Sequence, residues 1–155
     1  MREDREELVF APIGLRELAV LMLEHFGLEA LALHRELALV RPDLRFAELY
    51  RRMSAQDAQL FVVPAAFTVP TGQVHWQPLL QARAIESLVY VVAAGQWGEH
   101  AGGRKTYGHS MIIGPWGETL SELRDGTGVV CVDLDMDRLA DLRQRFPTVQ
   151  HRREL

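Results

Sequence analysis

Apolar residues recur along this chain with two periods, and the style of the sequence changes near residue 41. Leu15, Leu18, Ala19, Met22 and Leu23 stand at i, i+3, i+4, i+7 and i+8, the spacing of one helix face, with Gly27 as a stop. A second run, residues 28–40, keeps helical spacing at Leu28, Leu31 and Ala32. Its tail, Leu37, Leu39 and Val40, fits a strand equally well. Residues 1–40 therefore read as a helical N-terminal segment.

From residue 41 onward, helices and strands alternate. Residues 45–53 read as a helix with Phe46, Leu49 and Tyr50 on one face, and residues 60–63 as a short apolar strand ending at Pro64. A loop over residues 67–72, turning at Pro70-Thr71-Gly72, leads to a helix over residues 74–87 with the stripe Trp76, Leu79, Leu80 and Ala84. Residues 88–94 are apolar without alternation, the mark of a strand buried on both faces. After a glycine-rich loop at 95–108, the pattern predicts strands at 109–113, 118–123 and 129–134, separated by Gly114-Pro115-Trp116-Gly117 and Asp125-Gly126-Thr127-Gly128. A last helix, residues 135–145, begins with acids and ends with Arg143 and Arg145 before Pro147, which suits the helix dipole at both ends. The order is α/β, a layered sheet with helices on one face.

Composition narrows the function classes. A chain of 155 residues is the size of one domain. A net charge of −4 and a pI near 5.9, with no basic block, argue against nucleic acid as a partner. The longest apolar runs, such as residues 18–23, fall far short of the roughly 18 residues that suggest a membrane span, and the start Met1-Arg2-Glu3-Asp4 is not of signal-peptide type. The expected setting is cytoplasmic, with no membrane contact.

Cys131 is the single cysteine and Lys105 the single lysine. Cys131, in Val129-Val130-Cys131-Val132, reads as a small apolar side chain in a sheet rather than a reactive thiol. Lys105 reads as a solvated loop residue. His25, His34, His75, His100, His109 and His151 show no metal-binding spacing, so neither a metal nor another cofactor is expected. Arg83 and Glu86 lie at i and i+3, where an ion pair is a sufficient explanation. The loop bearing Phe67, Thr68 and Thr71 follows a strand end, where open α/β folds place ligands.

The ordered segments Asp43-Leu44-Arg45-Phe46-Ala47-Glu48-Leu49-Tyr50, Val63-Pro64-Ala65-Ala66-Phe67, Thr71-Gly72, His75-Trp76, Gln81-Ala82-Arg83-Ala84-Ile85-Glu86, Tyr107-Gly108-His109-Ser110-Met111 and Pro115-Trp116-Gly117 carry a signature. Across residues 43–153 the chain resembles the C-terminal half of the nitrilase superfamily of carbon–nitrogen hydrolases. It is most similar to the amidase branch that includes deaminated-glutathione amidase and ω-amidase. The resemblance implies an αββα sandwich, with residues 41–155 as its C-terminal half. It also implies hydrolysis of a linear amide, deaminated glutathione or the ω-amide of a dicarboxylate, by a cysteine nucleophile, a glutamate base and a lysine.

The family's glutamate and lysine belong to an N-terminal half that residues 1–40 do not resemble. One reading is that this half is encoded upstream and that residues 1–40 are a misassigned start. The nucleophile directly precedes an aromatic residue and the Asp-x-Arg-Phe motif, which places Arg41 at the nucleophile position and Pro42 at the position whose N–H would hold the oxyanion. A guanidinium stays protonated and proline has no N–H. The chain is therefore expected to be inactive alone. The resemblance also implies that Phe67, Thr68 and Thr71 line a substrate pocket. It further implies pairing, as a homodimer or with a relative, through two helices that would place Phe46, Tyr50, Trp76 and Leu80 at the interface. A non-catalytic pairing role is the alternative reading.

Overall fold

The computed structural model describes residues 37–39, 44–148 and 151. The helices expected within residues 1–36, together with Arg41 and Pro42, lie outside the described residues. Among the described residues, seven strands and three helices follow in the order β1 (Leu37–Leu39), α1 (Ala47–Ala55), β2 (Leu60–Ala65), α2 (Val69–Ser87), β3 (Tyr90–Gly95), β4 (Trp97–Glu99), β5 (Lys105–Tyr107), β6 (Ser110–Ile113), β7 (Thr119–Leu123) and α3 (Met136–Arg145). The main sheet has the order β1-β2-β3-β6-β7; its first three strands run parallel and the last two pairings are antiparallel. The strand option at residues 37–40 is the one adopted, since Leu37–Leu39 forms the sheet's edge.

Why β2 and β3 are apolar throughout follows from their burial. Phe61, Val63 and Ala65 alternate with Leu60 and Val62, and Val91 and Ala93 with Val92 and Ala94; one set meets the helices and the other the opposite face. The helix side holds the larger core, in which Tyr50 of α1 meets Phe61 edge-on with ring centroids 5.2 Å apart, and Trp76, Leu80 and Ala84 of α2 cover β3 and β6.

This packing corrects the interface expectation. Tyr50, Trp76 and Leu80 are each at most 1% exposed within the chain itself, whereas Phe46 is 59% exposed. The stripes of α1 and α2 that are apolar in sequence are the ones this sheet covers.

Three elements differ from the pattern-based prediction. Residues 69–72 open α2 instead of forming a turn: Thr68 is extended at the N-cap, Pro70 occupies the first turn, where its missing N–H costs nothing, and the Gly72 N–H bonds the Thr68 carbonyl. Residues 95–108 contain the β4–β5 hairpin, a separate two-stranded sheet. Residues 129–134 form no strand of either described sheet, Val130 alone making an isolated bridge, and Cys131 there is exposed rather than buried in a sheet.

Helix α3 begins at Asp135, whose carboxylate caps the Arg138 N–H at 2.8 Å. It is tied beneath the sheet by Arg143, which donates to the carbonyls of Leu88 and Ala58, at the turns that enter β3 and β2.

Candidate active site

Parallel strands bring their carboxyl ends to one edge, and at that edge β2 ends at Ala65, β3 at Gly95 and β1 at Leu39. Phe67, Thr68 and Thr71 follow the end of β2 there. The Phe67 ring packs on Trp76, with centroids 5.1 Å apart, and carries the Arg45 guanidinium 5.6 Å from its centroid. Arg45 also bonds His75 Nδ1 at 3.1 Å. The hydroxyls of Thr68 and Thr71 lie 2.8 Å apart, and that of Thr71 donates to the Thr68 carbonyl at 3.1 Å. Phe67, Thr68 and Thr71 are thus brought together at the start of α2, partly buried.

The β4–β5 hairpin closes one side. The Tyr107 N–H donates to the Phe67 carbonyl at 2.9 Å, and Thr68 forms a bridge with Thr106. Tyr107 lies so close to α2 that a Cβ at Gly72 would collide with its ring, which is why only glycine fits there. The buried Trp76 donates its Nε1–H to the His109 carbonyl at 2.7 Å and so joins α2 to the start of β6.

Beside this wall sits a pair that the sequence did not reveal. His109 has φ +55°, stacks on Tyr107 at 3.9 Å and meets a Glu122 carboxylate oxygen through Nδ1 at 2.7 Å, while Arg124 bonds the other oxygen at 3.2 Å. The partners are 13 residues apart, and only the β6–β7 register, Ser110 opposite Leu123, makes them neighbours. Partial burial pushes the Glu122 carboxyl upward, but the hydrogen bonds and charges of His109 and Arg124 more than offset this and hold it below the usual range.

A carboxyl depressed in the folded state contributes stability that is complete above its unfolded pKa of about 4.3 and is lost as pH falls through the folded value. Thermal midpoints of the wild type and Glu122→Gln are expected to differ near neutrality and to draw together as pH falls below the unfolded value and through the lower folded one. A constant difference across that range would remove the pair from the acid response.

The remaining candidates stand apart. Lys105 pairs with Glu99 at 3.4 Å across the hairpin, both more than half exposed, a contact worth at most about 1 kcal/mol. Arg83 does pair with Glu86, at 2.7 Å, but it also buries its guanidinium against the Leu44 carbonyl, a role its spacing alone did not suggest. No group of three or more His, Cys, Asp or Glu side chains that could hold a metal occurs among the described residues, and no helix among them is long and apolar enough to cross a membrane.

The family model described as carbon-nitrogen hydrolase matches residues 37–144, and the chain belongs to that family, with the layered α/β fold of the nitrilase superfamily. Among individual proteins, it is 49% identical over 112 residues to the deaminated glutathione amidase of Dictyostelium discoideum and 51% identical over 110 residues to that of a Synechocystis strain. These matches take in 72% and 71% of this chain but 38% and 40% of the relatives, so the chain spans about two fifths of the length of the curated relatives it matches. The NitFhit protein of C. elegans superposes with a TM-score of 0.71 at 41% identity, covering 76% of this chain and 28% of that one.

Proposed function

We propose that the chain is the C-terminal half of an amidase acting on a linear amide such as deaminated glutathione or the ω-amide of a dicarboxylate, and that it does not turn over alone. The observation that carries this reading is the identity of about one half, over 110 and 112 residues, to two deaminated glutathione amidases. Phe67, Thr68 and Thr71 would form one wall for the extended substrate. Inactivity is argued from Arg41 and Pro42: amide hydrolysis needs a nucleophile at the carbonyl carbon and donors for the oxyanion, and neither a protonated guanidinium nor an imide nitrogen supplies them. The purified chain is expected to release no ammonia from deaminated glutathione or from dicarboxylate ω-amides. Release above the buffer rate would overturn the inactivity, and its loss in Cys131→Ala would identify the nucleophile.

A second reading, a non-catalytic partner that pairs with itself or with an intact relative in the cytoplasm, has its own support. Phe46 at the N-cap of α1, Leu49 on α1 and Val74 on α2 are 59%, 37% and 63% exposed, apolar side chains on two neighbouring helices that a partner could cover. Analytical ultracentrifugation is expected to show a dimer that Phe46→Asp returns to monomer. A monomer in both cases, with no association with an intact relative, would remove this reading.

A further inference from the structure

The His109–Glu122 pair carries chemistry that the amide reading does not use. Its proton arrangement follows from its partners. Glu122 is ionised near neutrality, held so by His109 and Arg124, and an ionised carboxylate only accepts hydrogen bonds. The 2.7 Å contact therefore places the proton of the neutral imidazole on Nδ1. Nε2 is left with its lone pair, and no side chain or backbone group among the described residues bonds it.

Three further observations distinguish this histidine from a satisfied core imidazole. Its side chain is 19% exposed, so part of the ring meets solvent. Its backbone is left-handed at φ +55°, directly after Gly108 at φ +74°, a conformation that costs a non-glycine residue free energy and that clusters at functional sites. It is also held from three sides: the Tyr107 ring stacks on it at 3.9 Å, Trp76 donates to its carbonyl, and its own N–H bonds the Arg124 carbonyl at 3.2 Å. The imidazole is thus oriented in advance, beside Phe67, on which Trp76 packs and whose carbonyl accepts the Tyr107 N–H.

We propose that His109 is a nucleophile toward activated acyl esters, with Glu122 as its positioning residue. Nε2 bonds to the acyl carbon, and the C–O bond breaks with its electron pair leaving on the phenolate or alkoxide oxygen. The acyl-imidazolium keeps its Nδ1–H on the Glu122 carboxylate, which stabilises the positive charge. Water then adds to the acyl carbon, the C–N bond breaks with its pair returning to Nε2, and the carboxylic acid departs, releasing its proton to solvent. An amide is not cleaved this way, because its nitrogen must be protonated before it leaves, so the step is independent of the amidase reading.

The probe is p-nitrophenyl acetate, with p-nitrophenolate release by the full 155-residue chain followed by absorbance. His109→Asn, which suits the left-handed backbone, is expected to lower kcat/KM at least about tenfold. Glu122→Gln keeps the shape and an acceptor but loses the charge, and should lower it at least about fivefold. Glu122→Asp keeps the charge and should recover part of that loss, which a purely structural role of the side chain would not give. Cys131→Ala and His151→Gln should leave the rate unchanged; an exposed thiol and an exposed imidazole are the competing sources of acyl transfer. Thermal midpoints establish that each variant is folded at the assay temperature, and if His109→Asn is not, the comparison of Glu122→Gln with Glu122→Asp decides. Any of three outcomes overturns the proposal: an unchanged rate in folded His109→Asn, a loss confined to Cys131→Ala or His151→Gln, or equal rates in Glu122→Gln and Glu122→Asp.

Discussion

Replacing Trp76 with alanine is expected to lower the unfolding free energy by about 4 kcal/mol, in the range for truncating a buried tryptophan. The indole is 1% exposed, packs on Phe67 and donates to the His109 carbonyl at 2.7 Å. Alanine therefore leaves a cavity and also removes the partner of a carbonyl at the start of β6. Against a typical domain stability of about 5–15 kcal/mol this is a large fraction. Urea unfolding followed by circular dichroism measures it. Fluorescence adds a second check: Trp97 and Trp116 are 48% and 54% exposed, so the blue-shifted emission should vanish with Trp76. A loss below about 1 kcal/mol would mean that the indole is not in the core.

Arg83→Leu is expected to cost about 3 kcal/mol, the order found when one partner of a buried polar network is removed. The guanidinium donates to the Leu44 carbonyl from Nε at 3.0 Å and from Nη2 at 2.9 Å, bonds Glu86 at 2.7 Å and lies 5.2 Å from the centroid of the Tyr50 ring. This fork fixes the turn that leads into α1. Arg83→Lys should recover less than half of the loss, because an ammonium cannot reproduce the planar fork. Urea unfolding gives the magnitude, and faster amide exchange confined to residues 44–46 would locate it. Equal stability of the Arg83→Lys variant and the wild type would reduce the role of Arg83 to its charge.

Much of the fold was legible because it depends on local periodicity. The stripe of Trp76, Leu80 and Ala84 and the unbroken apolar character of β3 each follow from which residues face a neighbouring layer. The same reasoning misassigned Tyr50, Trp76 and Leu80, because an amphipathic stripe states that a face is buried without stating against what. It also read Pro70-Thr71-Gly72 as a turn, since proline and glycine signal both turns and helix first turns. That Phe67, Thr68 and Thr71 lie together at the start of α2 follows from their closeness along the chain. The His109–Glu122 pair does not, because its members meet only through hairpin register.

By itself the sequence determined the family, the order of strands and helices over most of residues 45–123, and the presence of Arg41 and Pro42 ahead of the Asp-x-Arg-Phe motif. These are properties of residue identity and short-range spacing. The tertiary structure decided that the helix stripes are covered by the chain's own sheet, that Arg83 holds the Leu44 carbonyl and that the β4–β5 hairpin closes over Gly72. It also decided that Val130, Val132 and Leu134 pack with Val92 and Ile112 on the second face of the sheet. Each of these depends on pairings between residues distant along the chain, which the packing of the layers sets and local pattern does not encode.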